Sequence, residues 1–305
     1  MDQKQREALR KFGGPRIHFD CPMDRYTTFR IGGKAEVLFF AEQRDELQGM
    51  VFRLHQEGIP YLVVGKGSNL LVRDEGFDGV VIMLGGELAT VEKDRREENV
   101  LLAGGGLGIA GLLSFCRREG LAGLEFLAGV PGTVGGAVAM NAGAWGREIE
   151  GVVRDVEVLT PQADFTVQDR SKLTFLYRAL SIPEGSLIVR GTFVLKPESP
   201  ESIAQRLSDY LAQRKQTQPL NAPSAGSVFK NPPGDYAARL IEGAGLKGQR
   251  IGGAMISPKH ANFIVNTGGA TAEDVQALIE LAQERVQEET GTRLELELKV
   301  VGGKR

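Results

Sequence analysis

The sequence is poor in cysteine and histidine and has no long apolar run. Its 305 residues include two cysteines and three histidines, with no CxxC motif or Cys/His cluster. That scarcity argues against a zinc site, a disulfide framework or any other bound metal, and it fits a reducing cytoplasm. No apolar run approaches the roughly 20 residues that a transmembrane helix needs, and the charged N-terminus does not resemble a signal peptide. We therefore expect a cytoplasmic chain that neither spans a membrane nor holds a metal.

An excess of charge of one sign is also absent. The chain carries 37 Lys and Arg against 39 Asp and Glu, a net charge of -2, so it lacks the basic footprint of a nucleic-acid-binding protein. Its 42% hydrophobic and 25% charged residues are typical of soluble globular proteins. The length exceeds one small core and predicts two or three domains. The oligomeric state does not follow from these numbers, and we favour a monomer.

Apolar periodicity predicts a chain that mixes helices and strands. Helical spacing predicts helices over residues 2–12, 45–57, 109–119, 201–214, 237–243 and from Thr271 to about residue 289, the last with a capping-box pattern. Apolar runs or alternation predict strands over residues 35–40, 61–64, 70–72, 80–84, 100–103, 152–159, 187–195, 263–265 and 294–300. In the last strand the leucines face one side, and Glu295, Glu297 and Lys299 face the other.

Glycine, by contrast, is abundant and concentrates in residues 120–146. Eight of these 27 residues are glycine and most of the others are apolar, so the stretch is not a polar linker and we expect it to be buried. We interpret residues 131–136 as a turn whose free N–H groups could cradle an anion, and residues 141–143 as a second tight turn. A crossing in the core, where glycine only relieves crowding, explains the composition equally well.

Two further glycine motifs follow predicted strands. Residues 106–111 match G-x-G-x-x-G, but no acidic residue ends a second strand about 20 residues on, so a strand-to-helix turn is favoured over a dinucleotide fingerprint. Residues 64–68 fail the P-loop pattern, because Gly67 stands where Ser or Thr should follow Lys66. The strand and its two glycines could still form a phosphate nest, although a plain β-turn explains this segment somewhat better.

Three polar side chains are candidates for chemistry. Ser227 is not part of G-x-S-x-G, because Phe229 takes the place of the second glycine. With so few histidines an activating base is scarce, so proton donation is a better functional interpretation than nucleophilic attack, and a turn hydroxyl is the alternative. Arg178 follows Tyr177 in an apolar segment, where a guanidinium could clamp a carboxylate or an oxyanion. Glu297 lies on the polar face of the last strand, for which a solvated face is the simpler explanation.

Taken in order, these motifs resemble one family, the UDP-N-acetylenolpyruvoylglucosamine reductases, flavoenzymes of peptidoglycan precursor synthesis. The matching segments are Thr28-Phe-Arg-Ile-Gly-Gly, Gly65-Lys-Gly-Ser-Asn-Leu-Leu-Val, residues 123–144, Tyr177-Arg178, Ala225-Gly-Ser-Val-Phe-Lys-Asn-Pro and His260-Ala-Asn-Phe-Ile-Val-Asn. Each motif alone is modest, and their order along most of the chain makes the resemblance specific.

The resemblance implies a fold class, α+β or α/β. Two subdomains hold FAD in the manner of the vanillyl-alcohol-oxidase type of flavoprotein, and a C-terminal α/β domain binds the substrate. The expected boundaries are residues 1–85, 86–200 and 201–305. The short loop between residues 176 and 187 resembles the second type of the family, although the serine that commonly follows Tyr-Arg is displaced here to Ser181. No His or Cys occupies the two predicted FAD loops, so we expect non-covalent FAD.

The resemblance also implies the residues of the site. Contacts to FAD are expected from two loops: Gly65, Lys66, Gly67, Ser68, Asn69 and Leu70 in the first, and Gly129, Pro131, Gly132, Thr133, Gly135, Gly136, Asn141, Ala142 and Gly143 in the second. Contacts to the UDP-sugar substrate are expected from Tyr177, Lys230, Asn231 and His260.

The reaction that the resemblance implies has two steps. NADPH reduces FAD, and flavin N5 then delivers hydride to C3 of the enolpyruvyl ether of UDP-N-acetylglucosamine, which yields UDP-N-acetylmuramate. By similarity, Arg178 and Glu297 stabilise the negative charge that develops at C2 and on the carboxylate, and Ser227 protonates C2. A cation beside the carboxylate supplies the activation that a hydride acceptor needs.

Two other functions remain open at this point. A related FAD oxidase of small alcohols lacks support, because the serine loop at residues 225–232 belongs to the reductases. A nucleotide-binding regulatory module would use the same glycine loops without chemistry. A yellow protein that NADPH bleaches anaerobically would indicate the reductase, and a colourless protein would indicate the module.

Overall fold

The structure, a computed structural model, describes residues 1–303. The chain forms two compact units, each assembled from segments that are distant in sequence. The first unit comprises residues 1–19, 37–66 and 79–212, and the second comprises residues 20–36, 67–78 and 213 onward. In the described part of the chain, no helix is long and apolar enough to cross a membrane. The same residues contain no cluster of three His, Cys, Asp or Glu side chains that could hold a metal.

The predicted helices and most predicted strands are confirmed. The α-helices are α1 (Gln3–Gly13), α2 (Arg44–Gln56), α3 (Ile109–Arg118), α4 (Val134–Ala139), α5 (Pro200–Thr217), α6 (Ala237–Gly243) and α7 (Ala272–Thr290). The strands are β1 (Ile17–Pro22), β2 (Lys34–Ala41), β3 (Tyr61–Val63), β4 (Leu70–Val72), β5 (Phe77–Leu84), β6 (Val91–Lys93), β7 (Val100–Gly104), β8 (Leu121–Ala122), β9 (Gly143–Ala144), β10 (Arg147–Glu148), β11 (Val153–Leu159), β12 (Phe165–Asp169), β13 (Thr174–Leu176), β14 (Ala179–Ser181), β15 (Leu187–Val194), β16 (Lys196–Pro197), β17 (Ser224–Ser227), β18 (Arg250–Ile251), β19 (Ala254–Ile256), β20 (Phe263–Asn266) and β21 (Lys299–Val301).

The two largest sheets of the first unit each have their own core. A four-stranded sheet has the order β1-β2-β5-β3, and an antiparallel five-stranded sheet has the order β12-β11-β15-β7-β6. On α2, Leu47, Met50, Val51 and Leu54 recur at helical spacing and are buried in the first core, as an amphipathic helix requires. The second core surrounds α3 and α4. The segment between β7 and α3 is a strand-to-helix turn, the interpretation that the sequence favoured for residues 106–111.

A partly buried ion pair links α2 to the five-stranded sheet. Arg44 donates hydrogen bonds of 2.9 and 2.8 Å to the carboxylate of Glu157 on β11. Burial raises the pKa of Glu157, but the hydrogen bonds from Arg44 and the charges of Arg190 and Arg44 outweigh burial, so the pKa lies below the ordinary glutamate value. Removal of the arginine would therefore leave a buried carboxylate poorly compensated.

The second unit contains an antiparallel sheet in the order β17-β20-β19-β18, and its core includes residues of α6 and α7. The capping box predicted for α7 is confirmed, because the Thr271 hydroxyl accepts from the Asp274 N–H at 3.0 Å and the Asp274 carboxylate accepts from the Thr271 N–H at 3.0 Å. Gly291 ends the helix with φ +71°. Asp74 caps the same helix from outside, accepting from its first two N–H groups at 2.9 and 3.0 Å.

The single long strand predicted over residues 294–300 is wrong. The regular ladder is confined to β21, which runs parallel to β4, and Leu296 before it makes only an isolated bridge to Phe229. The main chain changes partner here, because the Val228 carbonyl accepts from the N–H groups of both Glu297 and Leu298, at 2.9 and 3.1 Å. The predicted faces are kept in part, since Leu294 and Leu298 are buried and Glu295 and Lys299 are exposed, while Leu296 and Glu297 are both half-buried.

Candidate active site

The segment that follows β3 has main-chain N–H groups without acceptors. The N–H of Val64 still bonds to the Ile82 carbonyl at 2.9 Å. Gly65 and Lys66, which end this part of the first unit, have no acceptor for their N–H groups within residues 1–303, and the same is true of Gly67 and Ser68 in the second unit. Successive free N–H groups of this kind are the chemistry of an anion nest, and a turn follows at Ser68 and Asn69.

Gly65 lies directly against the glycine-rich stretch. A Cβ on Gly65 would stand 2.4 Å from Thr133 Oγ1 and 3.2 Å from Thr133 Cβ. Such distances lie well inside van der Waals contact, so only glycine fits this position without a shift of the backbone. The two glycine loops that the sequence singled out therefore meet in the first unit.

The turn at residues 131–136 does not offer the run of free N–H groups expected from the sequence, because among its N–H groups only that of Thr133 has no acceptor within residues 1–303. The N–H groups of Gly132, Val134 and Gly135 donate to main-chain carbonyls at 3.1, 2.8 and 2.8 Å. The last two acceptors lie in residues 105–107, because the turn pairs with that segment before it enters α4. A Cβ on Gly135 would lie 3.1 Å from two carbonyl oxygens. Relief of crowding at a crossing therefore explains this glycine.

Arg178 lies at the tip of a hairpin. β13 and β14 pair antiparallel and leave Tyr177 and Arg178 as the connecting residues, with φ +61° at Arg178. Its guanidinium lies 4.9 Å from the centroid of the Tyr177 ring and 4.0 Å from the Glu148 carboxylate. A residue other than glycine in this left-handed region is energetically costly, and such residues cluster at functional sites.

The second glycine turn braces this hairpin. Asn141 is buried, and its Nδ2 donates to the Glu148 carboxylate at 3.0 Å and to the Leu176 carbonyl at 3.2 Å. A Cβ on Gly143 would lie 3.1 Å from Nη1 of Arg178. The turn at residues 141–143 thus packs against the arginine, a relation that the sequence analysis did not predict.

Ser227 and Glu297 are brought together through the main chain of the second unit. Ser227 ends β17, after a register shift against β20 and a φ of +75° at Gly226. The carbonyl of the next residue, Val228, accepts from the Glu297 N–H at 2.9 Å. The Ser227 hydroxyl makes no hydrogen bond to any described residue, so it is available to a ligand.

The remaining predicted substrate residues also lie in the second unit. Lys230 Nζ is 3.6 Å from the carboxylate of Glu295, and Asn231 Oδ1 accepts from the first N–H of α6 at 3.1 Å. His260 packs edge-on against Phe263, with ring centroids 4.8 Å apart. Burial lowers the pKa of His260, which favours its neutral form at pH 7.

Comparison with known proteins identifies the family. A family model of an FAD binding domain matches residues 35–166, and a model of the UDP-N-acetylenolpyruvoylglucosamine reductase C-terminal domain matches residues 218–301. The UDP-N-acetylenolpyruvoylglucosamine reductase of Syntrophus aciditrophicus is 44% identical over 298 residues, which cover 97% of this chain and 96% of the relative. This chain belongs to the UDP-N-acetylenolpyruvoylglucosamine reductase family. The reductase of Geobacter sulfurreducens is 46% identical over 284 residues, with 93% of each chain covered.

A solved structure of this reductase family supports the fold. The crystal structure of UDP-N-acetylenolpyruvylglucosamine reductase from Thermus caldophilus matches with a TM-score of 0.79 at 42% identity, and the match covers 93% of this chain and 97% of that one. The predicted fold class, an FAD-binding region followed by a C-terminal domain of the reductase type, is confirmed. The chain is an FAD-binding oxidoreductase.

One residue of this reductase to which the sequence analysis gave no role contacts Phe229, two residues after Ser227. Asn262 is only 4% exposed. Its Oδ1 accepts from the Phe229 N–H at 2.9 Å, and its Nδ2 donates to the Phe229 carbonyl at 2.8 Å. Local sequence could not reveal this contact, because asparagine before a strand is also common in turns.

Proposed function

We propose that this chain reduces the enolpyruvyl ether of UDP-N-acetylglucosamine to UDP-N-acetylmuramate, with NADPH as the reductant and non-covalent FAD as the electron carrier. The observation that carries the proposal is the hydrogen bond from the Glu297 N–H to the carbonyl of Val228, the residue after Ser227, inside the region that the reductase C-terminal model matches. An FAD-binding region alone would be compatible with other flavoproteins. The Ser227 hydroxyl has no hydrogen-bond partner among the described residues, and the segment that contains Glu297 is bonded to the next residue. A hydroxyl in this position can act as a general acid that protonates a carbanion-like centre.

The residues of the first unit fit a bound dinucleotide. Gly65 and Lys66 present N–H groups without acceptors among the described residues, and a side chain at Gly65 would collide with Thr133. We propose that the predicted residues of loops 65–70 and 129–143 hold FAD. The second loop would contribute by close approach of its backbone, since the N–H groups of Gly132 and Gly135 are already bonded. When bound, FAD accepts two electrons from NADPH and supplies hydride to C3 of the enolpyruvyl group.

The substrate contacts that the resemblance implies involve seven side chains. Arg178, which has Tyr177 and Glu148 beside it, pairs with the substrate carboxylate and stabilises the charge that develops there. Ser227 donates its hydroxyl proton to C2, and Glu297 assists through a hydrogen bond. Tyr177, Lys230, Asn231 and His260 contact the sugar nucleotide. In this proposal FAD belongs to residues 1–85 and 86–200, and the sugar nucleotide belongs to residues 201–305 apart from the contacts proposed for Tyr177 and Arg178.

Anaerobic spectroscopy tests the assignment. The purified protein should be yellow and should bleach when NADPH is added without oxygen. Addition of the enolpyruvyl sugar nucleotide should then restore the colour in proportion to the amount added. A bleached protein that this substrate does not recolour would refute the specific reaction, and a protein that does not bind FAD would favour the regulatory module.

Ser227→Ala separates the two half-reactions. Loss of a general acid typically costs about 100- to 10,000-fold, so recolouring by substrate should slow by that order while bleaching by NADPH stays normal. Ser224→Ala, on the same strand, is the matched control and should leave both steps intact. Normal recolouring by Ser227→Ala would remove this residue from the mechanism. In Glu297→Gln, a near-normal recolouring rate would argue against an ionised role but would not exclude hydrogen bonding.

A further inference from the structure

We propose that Asn262 is a positioning residue for the reaction, because its side chain fixes the main chain at Phe229 and thereby sets the places of Ser227 and Glu297. This inference rests on the roles proposed above for Ser227 and Glu297. Asn262 itself touches neither of the proposed reacting atoms of the protein.

The side chain of Asn262 acts as a substitute for a neighbouring peptide group. Its amide uses both ends on one residue, accepting from the Phe229 N–H at 2.9 Å and donating to the Phe229 carbonyl at 2.8 Å. The Val228 N–H bonds to the Asn262 carbonyl at 2.9 Å. The ladder between β17 and β20 ends at the pair of Ser227 with Phe263, so the asparagine continues the pairing one step beyond the sheet.

The segment needs this support because its strand is irregular. The register between β17 and β20 shifts between Ser224 and Ser227, and Gly226 has φ +75°. A bulge of this kind re-aims the side chain that follows it, and it leaves fewer ladder hydrogen bonds to define the direction. The two buried bonds to Asn262 supply that definition just after Ser227.

The same segment holds Glu297 on its other side. The Val228 carbonyl accepts from the Glu297 N–H at 2.9 Å, and the Lys230 N–H donates to the Glu295 carbonyl at 2.8 Å. Residues 228–230 are therefore clamped between Asn262 and the segment 295–297. Loss of the Asn262 amide would remove the hydrogen bonds that hold Phe229 on one side. The segment 228–230 would then shift, and both proposed catalytic side chains, Ser227 and Glu297, would be displaced with it.

Asn262→Asp is the sharpest variant, because the change is isosteric. The carboxylate can still accept from the Phe229 N–H, but it presents an oxygen instead of a donor to the Phe229 carbonyl. A buried acceptor facing another acceptor is unfavourable, so this end of the contact opens. Asn266→Asp is the matched control. Asn266 lies on the same strand, and its Nδ2 donates to the carbonyls of Phe29 and Arg30 at 3.2 and 3.3 Å, away from residues 227–230.

The test uses the FAD-loaded enzyme and the two half-reactions. Displacement of catalytic groups by a distant change costs about 10- to 100-fold, so Asn262→Asp should slow recolouring by substrate by that factor. Bleaching by NADPH should stay within about twofold of the wild type, and Asn266→Asp should leave both rates within the same margin. Amide hydrogen exchange should accelerate in residues 227–230 of Asn262→Asp and not in Asn266→Asp. In a Ser227→Ala background, Asn262→Asp should have a much smaller effect, since the group that it positions is gone.

Several outcomes would overturn the inference. They are normal recolouring by Asn262→Asp, an equal loss in both half-reactions, equal effects of the two aspartate variants, or full additivity with Ser227→Ala. If Asn262→Asp does not fold with FAD, Asn262→Ser removes the same donor without adding a charge and carries the same test. Normal recolouring by Ser227→Ala alone would instead refute the proposed function, so the two failures are distinguishable.

Discussion

Replacement of Gly65 by alanine tests whether the contact between the two glycine loops serves FAD binding. The new Cβ would stand 2.4 Å from Thr133 Oγ1 and 3.1 Å from its Cγ2. Carbon and oxygen atoms that are not bonded prefer about 3.5–4.0 Å, so the loops must separate by roughly 1 Å. Thr133 cannot easily rotate away, because a β-branched side chain has few χ1 rotamers. Its hydroxyl also faces the N–H of Gly136 at 3.5 Å.

The expected size follows from the cost of overpacking. Forcing an extra methyl group into a packed contact costs about 1–3 kcal/mol. If bound FAD requires the native spacing of the loops, that cost falls on its affinity and weakens the Kd by about 5- to 150-fold. Gly85→Ala is the matched control, because no atom lies within 4 Å of the added Cβ and the φ of -146° suits any residue.

Titration of the apoprotein with FAD, followed by quenching of flavin fluorescence, measures this effect. Thr133→Ala removes the two atoms closest to the new methyl group, so the double variant Gly65→Ala/Thr133→Ala should bind FAD more tightly than Gly65→Ala alone. If Gly65→Ala binds FAD as well as Gly85→Ala does, the reasoning that joins this contact to the cofactor is refuted.

Three further predictions concern stability and reactivity. Glu157→Gln should lower the free energy of unfolding by about 1–3 kcal/mol at pH 7, because Arg44 loses charge-assisted hydrogen bonds. Folding lowers the pKa of Glu157, so this stabilisation is present above the ordinary glutamate pKa of about 4.3 and is lost as pH falls through the pKa of the folded state. In urea unfolding, the stability difference between wild type and Glu157→Gln should therefore shrink in acid, and a difference that grows in acid would contradict the ion pair. Burial raises the pKa of the Cys116 thiol to about 12, so a thiol reagent should modify Cys21 first and Cys116 only in denaturant, and equal labelling rates would refute the burial. Thr271→Val should cost about 1 kcal/mol by loss of the helix cap while Thr271→Ser should not, and equal thermal stability of the two variants would disprove the cap's contribution.

The local structure was largely predictable because it depends on neighbours in sequence. The spacing of Leu47, Met50, Val51 and Leu54 predicted α2, and the Thr271 capping box marked the start of α7. The final strand was predicted wrongly because residues 294–300 alternate leucine with charged residues, as a strand does, but do not pair continuously with one neighbouring strand. No local pattern shows that Glu297 pairs with Val228 and that β21 then pairs with β4.

The candidate site shows the same division. The motifs around Gly65, Ser227 and Arg178 were visible as unusual residue types in unusual contexts. The residues that hold them, Asn262 beside Phe229 and Asn141 beside Glu148, were not. The sequence does not show whether the amide of an asparagine faces water or replaces a peptide group in a buried ladder, so only its surroundings in the fold distinguish the two cases.

The sequence by itself determined six of the seven α-helices, the cap of α7, the fold class and the membership of a reductase family, because periodicity and ordered motifs are properties of the chain. The tertiary structure decided what each glycine does. Gly65 is excluded from bearing a side chain by Thr133, which is distant in sequence, and Gly135 by two carbonyl oxygens. Which N–H groups remain free for an anion depends on which carbonyls approach them from other segments. That information arises only when the segments meet, so the run of free N–H groups was found after Val64, whereas after Pro131 only the N–H of Thr133 has no acceptor within residues 1–303.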